Sequence, residues 1–181
     1  MKTVSVHVGI VDKVLKDSSS KPDGELVMVG LKSDDLKSIM SDLLKSSTQV
    51  PGLSIVPSLA VEIRGGKGYV KGNVSVDHSA VGHSEADVDL IFGNSVDTKN
   101  KIVAEKKEVS TRVSMRTKFV LSAAGIDLDK EIRSKLSDPS GSINGLMTQA
   151  FRDNGRKLET FGANFSQKSD VLIFAFKSHK I

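Results

Sequence analysis

From Glu108 to Leu121 the chain alternates with almost no break. Val109, Thr111, Val113, Met115, Thr117, Phe119 and Leu121 share one parity; Ser110, Arg112, Ser114, Arg116, Lys118 and Val120 hold the other. Period-2 alternation sends the two sets to opposite faces of a strand. About fourteen residues is more than twice a typical strand. At ~3.3 Å per residue it would span roughly 45 Å, too far for a straight strand in a compact 181-residue protein. The pattern therefore predicts an α+β fold. Its long antiparallel sheet would be strongly curved, dry on one face and wet on the other, and packed on or wrapped around amphipathic helices.

The rest of the chain supplies such partners. Val4, Val6, Val8 and Ile10 alternate within Thr3–Val11, which reads as a strand, and Glu25–Leu31 reads as another. Ser33 is placed to cap a helix over Asp34–Lys45, with Asp34 and Asp35 at its positive end. Leu36, Ile39, Met40, Leu43 and Leu44 form the apolar stripe of that helix. Leu59, Val61 and Ile63 then alternate, Gly65-Gly66-Lys67-Gly68 turns, and Val70, Val74 and Val76 run back as a hairpin. Ala86, Val88, Leu90 and Phe92 predict a strand over Glu85–Phe92, and a weaker one falls within Asn100–Lys106. Asp127 can cap a helix over Leu128–Leu136 that Asp138-Pro139 stops. A longer helix is expected from Ile143 to Phe161, with Gly155 a weak point inside it. Asp170–Lys177 is apolar on both parities, as in a mid-sheet strand covered on both faces. The whole reads as one domain, residues 1–181. Within it 17–24 is a mobile polar loop, 46–57 a connection and 178–181 a tail.

Composition narrows the chemistry. The absence of Cys removes a disulfide scaffold, a Cys-ligated zinc and a thiol nucleophile. A net charge of +4 spread over 181 residues is too diffuse for a dedicated nucleic-acid binder. Arg112, Arg116 and Lys118 form a basic stripe that can follow a phosphate backbone or an anionic lipid surface; the wet side of the long strand is the simpler reading. Gly65-Gly66-Lys67-Gly68 lies between two strands, with no Ser or Thr after its lysine, so it reads as a hairpin turn and not a phosphate loop. His78, His83, Glu85, Asp87 and Asp89 carry metal-ligand chemistry, but the three acids share the outward parity of one strand. No G-x-S-x-G elbow or isolated carboxylate pair is present. No enzyme activity, metal or cofactor is expected. The N-terminus lacks a continuous apolar signal core and no stretch approaches ~20 apolar residues. As given, the chain reads as soluble and cytoplasmic, with a leader removed upstream of Met1 still compatible.

The order of elements carries a resemblance. The Ser33-Asp34-Asp35 helix start, the segment SLAVEIRGGKGYVKGNVSV (58–76), the alternating hairpins, a helix and the closing DVLIFAFK (170–177) follow one another across Leu26–Lys177. This order resembles the tubular lipid-binding (TULIP, BPI-like) superfamily and AsmA-like β-rich lipid-transfer domains. The resemblance implies a curved sheet wrapped about a helix, with a lipid or acyl ligand in the groove between. Facing strand and helix surfaces would then meet at Val109, Val113, Met115, Phe119, Leu146, Met147 and Phe151, which either line that groove or fill an ordinary core. The alternative is a structural subunit of a phage, virus or secretion complex, acting through self-association or another protein partner. Peripheral membrane contact is a further partner class; nucleic acid is disfavoured.

Overall fold

The computed structural model describes residues 15–16, 22–46, 53–79, 82–97, 101–123, 125, 127, 130, 133 and 139–181. The predicted strand Thr3–Val11, and most of the predicted helix Leu128–Leu136 and of the polar loop 17–24, lie outside them. Asp127 nonetheless accepts the Lys130 N–H at 3.1 Å, the contact expected of a capping aspartate.

Among the described residues seven strands form two open antiparallel sheets, neither closed into a barrel. The first element is β1 (Leu26–Leu31), followed by helix α1 (Ser33–Ser46). The four-stranded sheet is a meander of β2 (Leu53–Arg64), β3 (Lys67–His78), β4 (Gly82–Asn94) and β5 (Ile102–Arg112), paired in that order. Helix α2 (Met115–Ala123) and helix α3 (Pro139–Asp153) come next. β6 (Arg156–Phe165) and β7 (Leu172–Lys180) complete a three-stranded sheet of order β1-β7-β6. The α+β class and the antiparallel pairing are as read from the sequence.

Local chemistry explains most boundaries. At the start of α1, Asp35 accepts the Lys32 N–H at 2.8 Å and the Lys32 carbonyl accepts the Leu36 N–H. Lys32 is therefore the cap residue, with the side chain three positions on reaching back, half of a capping box. Ser33 does something else: its hydroxyl accepts the N–H of Ile63 at 3.0 Å, tying α1 to β2. The β2–β3 turn is the two residues Gly65 and Gly66, at φ 55° and 75°, the left-handed pair that a tight hairpin requires.

Several expectations need correction. The long strand ends at Arg112, where Ser114 breaks it: its hydroxyl accepts the Thr117 N–H at 3.2 Å and its carbonyl accepts the Lys118 N–H, opening α2. The helix predicted to Phe161 ends at Asp153. Gly155, at φ 68°, donates to the Arg152 carbonyl as the left-handed residue that terminates the helix, and β6 follows at once. The connection 46–57 is shorter than expected, since β2 begins at Leu53, and 178–180 belong to β7 rather than to a tail. Finally there are two sheets, not one. β7 is central, as its composition required, but only one face is fully dry: Leu172, Phe174, Phe176 and Ser178 are buried while Val171, Ile173, Ala175 and Lys177 are half-exposed.

One apolar cluster joins both sheets. It contains Leu36, Ile39, Met40 and Leu44 of α1, Met147 and Phe151 of α3, Leu121 of α2 and the inward residues of all seven strands. Phe151 meets Phe176 edge-on at 5.3 Å between centroids, and Phe174 lies 5.7 Å from Phe176, geometries that favour aromatic pairs. The sheets themselves are clasped at Phe165. Asn94 at the end of β4 donates to the Phe165 carbonyl at 2.9 Å and accepts its N–H at 2.7 Å. The Phe165 ring lies over Gly68 so closely that a Cβ there would stand 2.7 Å from it. Asn94→Ala should therefore lower stability in urea unfolding by about 1–3 kcal/mol, the usual cost of stranding partly buried backbone groups. An unchanged midpoint would show that the clasp is dispensable.

Candidate functional site

The seven residues expected to face one another do not share a surface. Val109 on β5 and Met147 and Phe151 on α3 are buried in the core, and Val113 packs half-buried against it. Leu146 is on α3, with a side chain outside those described. Met115 and Phe119 sit on α2 and point outward, 86% and 77% exposed. The strand part of that lining, Val109, Val113, Met115 and Phe119, was read from a single parity, and the change to helix at Ser114 breaks that parity.

Helix α2 is turned in an unexpected direction. Thr117 and Leu121 face the core at 4% exposure each, while Met115 and Phe119 face water. All four fall at i, i+4 spacing, so either pair could have formed the inner stripe. Thr117 can be buried because its hydroxyl pairs with that of Ser114 at 2.8 Å. The basic stripe is divided by the same turn. Arg112 ends β5, bonded to Asp87 at 2.8 Å and lying 3.9 Å from Glu85. Arg116 and Lys118 are exposed on α2 and form no ion pair with a described residue.

The wet face of the four-stranded sheet is a lattice of ion pairs. Register sets Asp89 of β4 between Lys71 of β3 and Glu108 of β5, and Glu85 opposite Arg112. Lys106 reaches Asp89 at 2.7 Å and Glu108 at 3.2 Å, and Lys71 stands 3.8 Å from Asp89. The Lys106 ammonium beside Asp89 and the Arg112 guanidinium beside Asp87 hold both carboxyls below the usual range. His83 lies between Asp77 (2.9 Å) and Glu85 (3.4 Å), and its bonds to them raise its pKa above the ordinary value. The acids that carried metal-ligand chemistry in the sequence are thus each matched to a cation. Among the described residues no group of three His, Asp or Glu is placed to hold a metal ion. Exposed pairs of this kind add little stability each; their effect is to keep this face wet.

Two further features stand apart. A pocket of about 540 Å³ lies between Leu15–Lys16, the Asn154–Arg156 turn and Lys180–Ile181. The Arg156 guanidinium there is already held by the Ser178 hydroxyl at 2.9 Å and by Asp23 at 3.1 Å. The outer face of the three-stranded sheet, in contrast, is apolar around β1 and the start of β7, while Lys177, His179 and Glu159 lie further along it. Leu26 and Met28 on β1, at the edge of the sheet among the described residues, are 44% and 69% exposed. Met28 stands opposite Ala175 and Gly30 opposite Ile173, while Val171 packs 3.7 Å from where a Gly30 Cβ would be.

No family model matches the chain, and neither does any curated protein or solved structure. Function is therefore argued from these surfaces. No described helix is long and apolar enough to cross a membrane.

The acid-flanked histidine yields a direct test. Its raised folded pKa makes His83 contribute stability below its unfolded pKa of about 6.5; that contribution is lost as pH rises through the folded value. An NMR titration should place the His83 midpoint above that of a free histidine, and Glu85→Gln should lower it. A midpoint at or below the ordinary value would show that the two carboxylates do not hold the ring in solution.

Proposed function

We propose that this protein is a non-enzymatic assembly subunit that self-associates through β1 and the outer face of its sheet. The observation that carries the reading is the exposure of Leu26 and Met28 on β1, an edge strand among the described residues. The segment Leu26–Leu31 (LVMVGL) contains no charge, Pro or bulge, the devices by which edge strands usually resist pairing. β5, an edge of the other sheet, shows the contrast, with Glu105, Lys106, Lys107 and Glu108 along it and a register shift opposite Ile91/Phe92. Two β1 strands meeting antiparallel across a two-fold axis would extend the sheet and bring both apolar faces into one. Covering Met28 alone would contribute about 2 kcal/mol per copy, and its neighbours Val171, Ile173 and Ala175 lie in the same patch.

A hydrophobic ligand in a groove is supported less well. Val109, Met147 and Phe151, the positions nearest to lining one, touch the chain's own core. That reading would show itself as lipid retained in native mass spectrometry or as uptake of a fluorescent fatty acid.

Sedimentation velocity over a wide concentration range tests the assembly reading. The chain should form a dimer or larger species as concentration rises. Met28→Lys, which places a charge in the centre of the patch, should shift it to monomer with its far-UV circular dichroism unchanged. A strict monomer at high concentration would overturn self-assembly.

A further inference from the structure

Apart from the β1 surface, helix α2 combines three features that no intramolecular role uses. Its outward ridge is Met115 and Phe119, one turn apart and almost fully in water, although Leu121 and a threonine occupy the inward positions. At ~100° per residue, Arg116 lies to one side of that ridge and Lys118 to the other. Both are exposed, and neither pairs with a described residue. The helix sequence, MRTKFVLSA, contains no acidic residue at all. The outward surface is therefore an apolar ridge with a positive charge on each flank.

We infer that α2 docks this protein on an anionic lipid surface, with Phe119 and Met115 entering the acyl boundary and Arg116 and Lys118 at the headgroups. Charge complementarity selects this occupant. A helix lying in the bilayer interface buries its apolar side while cations beside it meet the negative leaflet. Long basic side chains suit that depth, because their stems cross apolar surface while their heads stay wet. The Ser114 hydroxyl and carbonyl bonds fix the first turn, so the ridge is already formed before contact. Thr117 is held inward by its pairing with Ser114, which keeps Phe119 directed away from the core.

Nine residues bury little area, so binding should be modest and strongly dependent on lipid charge. The test is co-sedimentation of the full chain with vesicles of phosphatidylcholine alone or with about one-third phosphatidylserine, at low salt and in 0.5 M salt. Binding is expected only to the anionic vesicles and should weaken with salt. Phe119→Ala should lower affinity at least about tenfold, and Arg116→Gln with Lys118→Gln about 25-fold together, from roughly fivefold per charge. Because these side chains are exposed, circular dichroism and thermal midpoints should stay at wild-type values. Failure to bind anionic vesicles, or equal binding by wild type and Phe119→Ala, would overturn the inference. The first result would leave the ridge to an acidic protein partner. Tight binding to neutral vesicles would also overturn it, since charge would then select nothing.

Discussion

Phe165 is the residue on which the two sheets depend. Its ring fills the space left by the missing side chain of Gly68, and its backbone is held on both sides by the Asn94 amide. An amide side chain can satisfy an N–H and a C=O at once, so Asn94 acts as a one-residue strand between β4 and β6. That junction allows the four-stranded meander and the β1-β7-β6 sheet to share one apolar cluster with α1 and α3. Without it each sheet would need its own cover from the three described helices α1, α2 and α3. The aromatic contacts of Phe151, Phe174 and Phe176 then occupy the space between.

Among the described residues most large apolar side chains are buried, and the few left outside show where contacts with other bodies would form. The four-stranded sheet turns a charged lattice to water, with Asp87 and Asp89 each engaged by a cation. The three-stranded sheet does the opposite and presents Leu26 and Met28. Helix α2 presents Met115 and Phe119 between two positive charges. These surfaces differ in kind: an uncharged strand edge suits another strand, whereas a cationic apolar ridge suits a negative interface.

Most strands were legible because alternation survives wherever one face is buried. Val70, Val74 and Val76, and Ala86, Val88, Leu90 and Phe92, are all buried as their parity required. The two large misreadings have definite causes. Over 115–121 the i, i+2 pattern also contains two i, i+4 pairs, so the period could not decide between strand and helix. The cue was Ser114, a capping residue followed by the good helix formers Met115, Arg116 and Lys118. In 158–161 a β-bulge imitates a helix. The register shifts between Thr160 and Gly162, so the core positions Leu158, Ala163 and Phe165 are five and then two residues apart and the strict period of two is broken. Gly155, a helix terminator when in the left-handed region, was the signal that strand had resumed. As for function, Met115 and Phe119 were visible as apolar positions, but their outward direction was not.

By itself, the sequence determined the α+β class, the hairpin at Gly65-Gly66, the central place of the doubly apolar β7 and the want of thiol chemistry. These follow from local rules: side-chain period, backbone freedom and residue type. Only the tertiary structure decided that there are two sheets clasped at Phe165, that α2 buries Thr117 and exposes Phe119, and that Ser33 serves β2 rather than its own helix. Each of those depends on which distant surface reaches a residue first. Burial is a property of that surface, and periodicity along one segment does not contain it.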